Sequence, residues 1–240
     1  MTQIDRRSFI KTTASAGSIL LVSPYLDGSL LGMPVAKVNG YFSGEFGIDQ
    51  ALCTLLLETA LSRGGDYADV YFEHTLENWL SLEDGKVNQS YGRVKLGVGI
   101  RTVKGDQVGY GYTEELTRES MLSAAATAAS LTSGQPIAAP EALRKPETAN
   151  YYPLISPLEE VPLSSKLPLV KAINEKCFSK SNEIIKVNAG FHDSTKRIMV
   201  VTSDGVMAED LIPRNYLYAS AIAERNGRKE QSWWNVGGRY

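Results

Sequence analysis

Histidine and cysteine are scarce in this sequence, which has two of each among 240 residues. His74 and His192 are far apart, and neither has other ligand-type residues at a metal-binding spacing, so we interpret both as structural. Cys53 and Cys177 lie in separate segments with helical periodicity, so their spacing matches no metal or redox motif. We interpret them as buried free thiols, with a single disulfide as the alternative.

Long basic runs and long apolar runs are also missing. The net charge is −2 and the sequence pI is near 5.8, which excludes the electrostatic footprint of a nucleic-acid-binding protein. The apolar run over residues 14–22 is about half as long as the ~20 residues of a spanning helix. We therefore predict neither a nucleic-acid partner nor a stable membrane span.

The N-terminus carries a candidate export motif. Arg6 and Arg7 are followed by Phe9 and Lys11 and then by the short apolar run. This arrangement resembles a twin-arginine signal and predicts a leader over residues 1–35 and a periplasmic location. No clear cleavage site of small residues follows. The alternative is a basic N-terminal helix on a cytosolic protein.

The remaining sequence alternates helical and strand-like patterns. Apolar spacing predicts helices over residues 49–63, 117–131 and 166–181, with Asp49 and Thr117 at N-cap positions. Alternating apolar residues predict antiparallel hairpins with turns at 83–86, 104–107, 193–196, 203–205 and 226–227. The predicted fold class is α+β, with antiparallel sheets and packed helices in two subregions.

Proline marks the boundary between the two subregions. Seven of the ten prolines fall between Gly134 and Pro168, where apolar periodicity is weak. This composition predicts a linker over residues 134–162. We expect an N-terminal α+β domain over 48–133 and, beyond the linker, a helix and a second antiparallel sheet over 163–240.

The segment "LGVGIRTVKGDQVGYGY" contains five glycines but does not predict a phosphate site. A Gly-x-Gly-x-x-Gly fingerprint would need glycine where Thr102 stands, and it would need a helix where another strand follows. Gly97 and Gly99 share one strand face, as do Gly109 and Gly111. We expect one sheet face without side chains, which lets a helix of the domain approach closely; a bound ligand is the alternative.

Two further groups of residues offer no clear catalytic site. Acidic pairs fall mostly at turns and element ends, where helix capping and solvation explain them. Trp233 and Trp234 are adjacent in a predicted strand, so they either line a groove or place one ring in the core and one on a sheet face. No Gly-x-Ser-x-Gly elbow is present to support a covalent nucleophile.

Several features in order do resemble a known family. They are "ADVYFE" after Gly-Gly-Asp, the "EDGKV" hairpin, "GVGIRTVKGDQVGYGY" and the alanine-rich helix that follows. The stretch from "VVTSDGV" to "WWNVGGRY" is similar to a second region of the same family. Together they resemble the TldD/PmbA family of zinc metallopeptidases, also described as modulators of DNA gyrase, over residues 48–240.

The resemblance implies peptide hydrolysis, with zinc polarising the scissile carbonyl and activating water. In the family a His-Glu-x-x-x-His helix and a later cysteine hold the metal, and no position here matches them. Neither His74 nor His192 is followed by the required glutamate. We therefore assign no catalytic, cofactor-binding or metal residue, and we predict that this chain alone neither binds zinc at a family-type site nor cleaves peptides.

Three hypotheses for function follow. The preferred one is the N-terminal portion of an exported TldD/PmbA-like metallopeptidase, without the C-terminal metal-binding region. The second is a non-catalytic or peptide-binding subunit that forms a homo- or hetero-oligomer with a TldD/PmbA paralogue and accepts a peptide as an added strand. The third is an envelope protein with a purely structural role.

Overall fold

The computed structural model describes residues 40–146 and 161–239. The twin-arginine motif lies outside the described residues, as do residues 147–160 of the predicted linker. The linker and the predicted domain boundaries therefore stay predictions. The elements in chain order are α1 (Tyr41–Phe46), α2 (Gln50–Leu61), β1 (Tyr67–Glu83), β2 (Lys86–Lys104), β3 (Gln107–Thr113), α3 (Arg118–Ala129), α4 (Leu163–Phe178), β4 (Ile184–Thr202), β5 (Val206–Arg225) and β6 (Arg228–Gly238).

All six described strands form a single antiparallel sheet in the order β3-β2-β1-β4-β5-β6. The α+β class with antiparallel strands and packed helices is confirmed. The predicted second sheet is continuous with the first, because β1 pairs with β2 along one edge and with β4 along the other. Residues 69–83 of β1 face residues 188–202 of β4, so the two predicted subregions share backbone hydrogen bonds.

Local sequence signals set the starts of α2 and α3. The Asp49 carboxylate accepts a hydrogen bond of 2.8 Å from the backbone N–H of Leu52. The Thr117 hydroxyl accepts one of 3.2 Å from the N–H of Ser120. Each bond satisfies an N–H that has no partner within the helix, and both predicted N-caps are confirmed.

Four predicted turns join consecutive strands, and the fifth prediction was wrong. The turns at 83–86, 104–107, 203–205 and 226–227 are present, and Asn226 and Gly227 adopt the positive φ angles of a tight hairpin. The predicted turn at 193–196 lies instead inside the continuous strand β4. Asp193 is fully buried there and forms an ion pair with Lys166 of α4. The polar Asp193 that suggested a turn therefore forms a buried ion pair inside the strand.

The helices pack against one face of the sheet, which we call the covered face. Helices α1, α2 and α3 form a first core with residues such as Val70, Phe72 and Ile100. Helix α4 forms a second core with residues such as Leu80 and Val187. None of the helices within residues 40–146 and 161–239 has the length and hydropathy of a transmembrane segment.

The two cysteines lie in different cores, and both are buried and free. This confirms the free-thiol interpretation. Burial, with a smaller contribution from the Asp49 carboxylate, raises the pKa of Cys53 to about 12. Burial also raises the pKa of Cys177. Because the thiolate is the reactive form, neither side chain is a nucleophile at neutral pH.

Strand β3 lies unusually close to α3 because two glycines face that helix. A Cβ atom at Gly109 would overlap the carbonyl oxygen of Ala128, and one at Gly111 would overlap that of Ala124. The predicted close approach of a helix is therefore confirmed for this pair of glycines.

Candidate functional site

The sheet face opposite the helices, which we call the open face, carries no helix from residues 40–146 or 161–239. Antiparallel partners point to the same side of a sheet, so the strand register identifies its residues. Aromatic and charged side chains dominate it: Tyr71, Glu73, Glu77 and Trp79 on β1, Tyr91 and Lys95 on β2, Tyr110 and Tyr112 on β3, His192 and Lys196 on β4, Tyr216 and Tyr218 on β5, and Trp233 on β6.

Gly97 and Gly99 lie on this open face, not on the covered face with the β3 glycines. Gly99 is paired with Tyr112, whereas Ile100 is paired with Gly111. The prediction that the four glycines leave one face bare was therefore wrong. Alternation along the sequence shows which residues of one strand share a face. Only the register between two strands shows which face of one strand lies on the same side of the sheet as a given face of the other.

The open-face glycines form the floor of a shallow groove of about 300 Å³. Gly99 lies between Tyr71 of β1 and Tyr112 of β3 in one cross-strand row. Gly97 is paired with Glu73 in the next row. The walls are formed by Tyr71 and Glu73 on one side and by Tyr110, Tyr112 and Glu114 on the other. This groove is the candidate functional site.

Glu73 is held in a fixed orientation on its wall of the groove. One carboxylate oxygen accepts hydrogen bonds from the Tyr71 hydroxyl (2.9 Å) and the Lys196 ammonium (2.9 Å), and the other accepts one from Thr75 (2.8 Å). Burial acts to raise the pKa of Glu73, but these donors outweigh it and hold the pKa below its usual value. The carboxylate is therefore charged and oriented before any ligand arrives.

The tyrosines on the other wall are exposed. Tyr110 and Tyr112 are 56% and 72% exposed, and their rings stack with centroids 6.4 Å apart. The Tyr110 ring reaches across Gly99, where a Cβ atom would overlap its hydroxyl. Gly99 thus gives space to an aromatic ring on its own sheet face.

A second aromatic cluster lies farther along the open face, centred on Trp79. The Trp79 ring contacts His192 at 5.0 Å and Tyr218 at 5.9 Å between centroids, and His192 contacts Tyr216 at 4.9 Å. Burial among these rings lowers the pKa of His192. The cluster packs His192 in its neutral form, which agrees with a structural role.

The other histidine lies on the covered face. His74 Nδ1 is 2.7 Å from the Tyr41 hydroxyl, and its ring stacks on Tyr41 at 5.9 Å. Burial, and then the nearby Arg197 guanidinium, lower the pKa of His74. Because His74 and His192 lie on opposite faces of one sheet, they do not form a ligand pair. Among the described residues no three His, Cys, Asp or Glu side chains form a metal-type cluster.

A buried ion pair lies on the covered face beside the second core. The Lys166 ammonium is 2.6 Å from Asp193 Oδ2, and the Asn78 amide donates to Asp193 Oδ1 at 3.1 Å. The side chains of Lys166 and Asp193 are 5% and 0% exposed. This contact ties α4 to β1 and β4, and its burial marks it as structural rather than ligand-binding.

Sequence reasoning identified the groove's glycines but missed its acidic wall. The bond from Lys196 to Glu73 joins residues 123 positions apart and depends on the pairing of β1 with β4. One local signal was available, because Tyr71, Glu73 and Thr75 alternate along one strand and so share a face. The adjacent tryptophans follow the second predicted alternative: Trp234 is partly buried against the second core, and Trp233 lies on the open face at 73% exposure.

Comparison with known families gives two matches in consecutive parts of the chain. Residues 68–132 match the PmbA/TldA metallopeptidase domain 1, and residues 156–240 match the PmbA/TldA metallopeptidase central domain. Together the matches cover more than half of the chain and include all six strands of the sheet except the first residue of β1.

Curated relatives agree with these matches. Metalloprotease TldD homologues from Haemophilus influenzae and Buchnera aphidicola (subsp. Schizaphis graminum) are each 28% identical over 74% and 73% of this chain. The chain spans only 37% and 36% of their lengths.

Two solved structures share the fold. The structure of a candidate modulator of DNA gyrase from Bacteroides thetaiotaomicron has a TM-score of 0.65 at 18% identity, with 80% of this chain and 45% of that chain covered. TldE from Thermococcus kodakarensis gives 0.53 at 14%, with 73% and 40% covered. With domain 1 and the central domain both matched, the chain belongs to the PmbA/TldD metallopeptidase family.

Proposed function

We propose that this chain is the non-catalytic N-terminal portion of an exported TldD/PmbA-type metallopeptidase. The observation that carries the proposal is the continuous sheet built from the segments that match domain 1 and the central domain. One face of that sheet is packed by helices, and the other presents a groove and exposed aromatic side chains. Such a scaffold is suited to positioning a peptide for chemistry that occurs elsewhere in the assembly.

The described residues do not fit a zinc ion of the family type. His74 is bonded to Tyr41 on the covered face, and His192 is enclosed by aromatic rings on the open face. Cys53 and Cys177 are protonated thiols in two separate cores. We therefore propose that the groups that carry out hydrolysis lie outside the described residues.

The peptide-binding part of the proposal rests on the edge of β2. Residues 86–97 of β2 pair with β1 on one side, while β3 pairs only with residues 98–104 on the other. The backbone groups along that second edge have no partner strand among the described residues. Val87, Tyr91 and Val94 are 50%, 45% and 61% exposed along it. An extended peptide adds to such an edge through main-chain hydrogen bonds with little dependence on its sequence.

Metal analysis and a peptidase assay test the division of labour. We expect the purified 240-residue chain to hold no stoichiometric zinc and to leave an unstructured test peptide intact. A complex between this chain and a polypeptide that carries a His-Glu-x-x-x-His segment should cleave the test peptide. We expect that segment to be encoded either in frame or in an adjacent gene. One tightly bound zinc per chain, or proteolysis by the chain alone, would contradict the proposal.

A non-catalytic partner subunit is the second candidate, and its supporting observation is the fold shared with TldE. Tagged protein purified from its native host discriminates the two. An equimolar longer TldD/PmbA paralogue in the eluate supports a subunit role. A monomer in solution, with a metal-binding segment encoded in the same reading frame, contradicts it.

Export is tested by fractionation of cells. We propose that Arg6 and Arg7 direct the folded protein to the periplasm through the twin-arginine route. Replacing both with lysine should retain the protein in the cytoplasm, whereas the unmodified chain should be recovered from the periplasm. Equal distribution of the two proteins would refute the export signal.

A further inference from the structure

The groove over Gly97 and Gly99 has a shape and a charge that suit one class of ligand. We infer that it binds the guanidinium group of an arginine side chain presented by an extended peptide. The inference rests on the proposed function only in that a peptide supplies the arginine. It assigns a specificity subsite to the open face.

The floor of the groove consists of backbone atoms and one aromatic ring. The Tyr110 ring fills the space above Gly99, and the carbonyl oxygen of Thr113 lies 2.9 Å from where a Cβ atom of Gly97 would be. A cavity of about 300 Å³ has room for a guanidinium with part of its aliphatic stem.

The charges of the groove favour a cation. Glu73 and Glu114 stand on opposite walls. Two lysines are near, but Lys196 is already bonded to Glu73, and Lys95 is bonded to Glu77 at 2.7 Å. With these two pairs counted as neutral, Glu114 leaves the groove with a net negative charge. An anionic ligand would have to lie between two carboxylates.

The aromatic walls add a second attraction that is specific to cations. A guanidinium stacks on the face of a tyrosine ring and donates N–H groups to a carboxylate in the same plane. Tyr112 offers an exposed face beside Gly99, and Glu114 follows it closely on the same wall. On the opposite wall, the Glu73 carboxylate accepts three hydrogen bonds and retains acceptor capacity for a further donor. Arginine therefore meets both of its preferred partners in one place.

The test is a titration of the isotope-labelled, full 240-residue chain with N-acetyl-arginine amide, followed by amide NMR. We expect saturable shifts at Gly97, Gly99 and Tyr112, and binding about tenfold tighter than for N-acetyl-glutamine amide. Higher salt should weaken the arginine probe and leave the glutamine probe unchanged. Equal affinity for both probes, or shifts that do not map to the groove, would overturn the inference.

Single substitutions distinguish the contribution of the Glu114 charge to arginine binding from that of the Tyr112 ring. Glu114→Gln keeps the size of an exposed side chain and should weaken arginine binding about two- to fivefold. Tyr112→Ala should weaken it to a similar degree by removing the stacking face. Trp233→Ala removes an exposed aromatic side chain from the same sheet face outside the groove and should change nothing. Melting temperatures confirm that each variant is folded before its affinity is compared.

The outcome is independent of the peptidase assay. If the groove binds arginine and no associated polypeptide gives hydrolysis, the subsite stands and the proposed function fails. If hydrolysis is observed and Glu114→Gln binds arginine as well as the unmodified chain does, the function stands and the subsite fails.

Discussion

Replacing Asp193 with asparagine should destabilise the protein more than any surface substitution. The Asp193 carboxylate is fully buried, lies 2.6 Å from the Lys166 ammonium and accepts a hydrogen bond from Asn78. The substituted amide can keep the bond to Asn78, but the buried lysine ammonium loses its ion pair with the Asp193 carboxylate. Removing one partner of a buried pair costs about 3–5 kcal/mol.

The same reasoning predicts that a second substitution restores the loss. Lys166→Met alone leaves a buried carboxylate and should also cost about 3–5 kcal/mol. Lys166→Met combined with Asp193→Asn removes both charges, keeps the amide bond to Asn78 and fills the volume of the lysine stem. We expect the free energy of unfolding of this double variant to be within about 1 kcal/mol of that of the unmodified protein, because replacing a buried ion pair by uncharged residues is often neutral.

Urea unfolding followed by circular dichroism provides the four free energies of unfolding. The exposed pair of Lys95 and Glu77 is the control, and its removal should cost about 1 kcal/mol or less. The reasoning is refuted if Asp193→Asn costs no more than this control. It is also refuted if the double variant loses the sum of the two single losses.

Three further predictions concern the helix contact, pH and a helix cap. Gly111→Ala should lower the free energy of unfolding by about 1–3 kcal/mol because its Cβ would overlap the carbonyl of Ala124, whereas Gly92→Ala, with its nearest neighbour at 3.4 Å, should be close to neutral in the same urea assay. The folded pKa of His74 lies below its ordinary value of 6.5, so the unfolded chain takes the proton first; stability should be complete above pH 6.5 and decline as the pH falls through the folded pKa, and His74→Gln should flatten the decline measured by pH-dependent melting. Asp49→Ala should cost about 1 kcal/mol through loss of the α2 cap, and an unchanged urea midpoint would contradict this.

Local chemistry allowed much of the fold to be predicted. Asp49 and Thr117 cap helices because their side-chain oxygens reach backbone N–H groups three residues later, a contact that needs no tertiary structure. Asn226 and Gly227 form a hairpin turn because both tolerate positive φ. Signals of this kind act within a few residues, so they are legible in a single sequence.

Long-range contacts explain where sequence reasoning failed. Asp193 begins a segment with the composition of a turn, yet it lies in the middle of β4, where its carboxylate pairs with Lys166 of α4. Likewise, the glycines of β2 and β3 were placed on one face, although the register puts Gly99 opposite Tyr112. The choice between faces depends on a shift of a single residue between strands, and no local pattern specifies it.

The candidate site depends on the same kind of long-range contact. Its glycine floor is visible in the sequence, but the orientation of Glu73 requires Lys196, which arrives only when β4 pairs with β1. The net charge of the groove likewise depends on which lysine is already bonded to which carboxylate. The sequence motif therefore indicates where a groove can form, whereas the strand register determines which charged side chains line that groove.

The pairing of β1 with β4 also determines how the two matched domains behave as a folding unit. Both strands run through the first core and the second core, so loss of either core removes packing from the same two strands. The Asn78–Asp193 hydrogen bond and the Glu73–Lys196 ion pair cross this pairing on opposite faces of the sheet. A domain boundary drawn through the proline-rich segment therefore separates two sequence regions but not two independent sheets. The described residues should unfold in one cooperative transition, and the groove should be lost together with the second core.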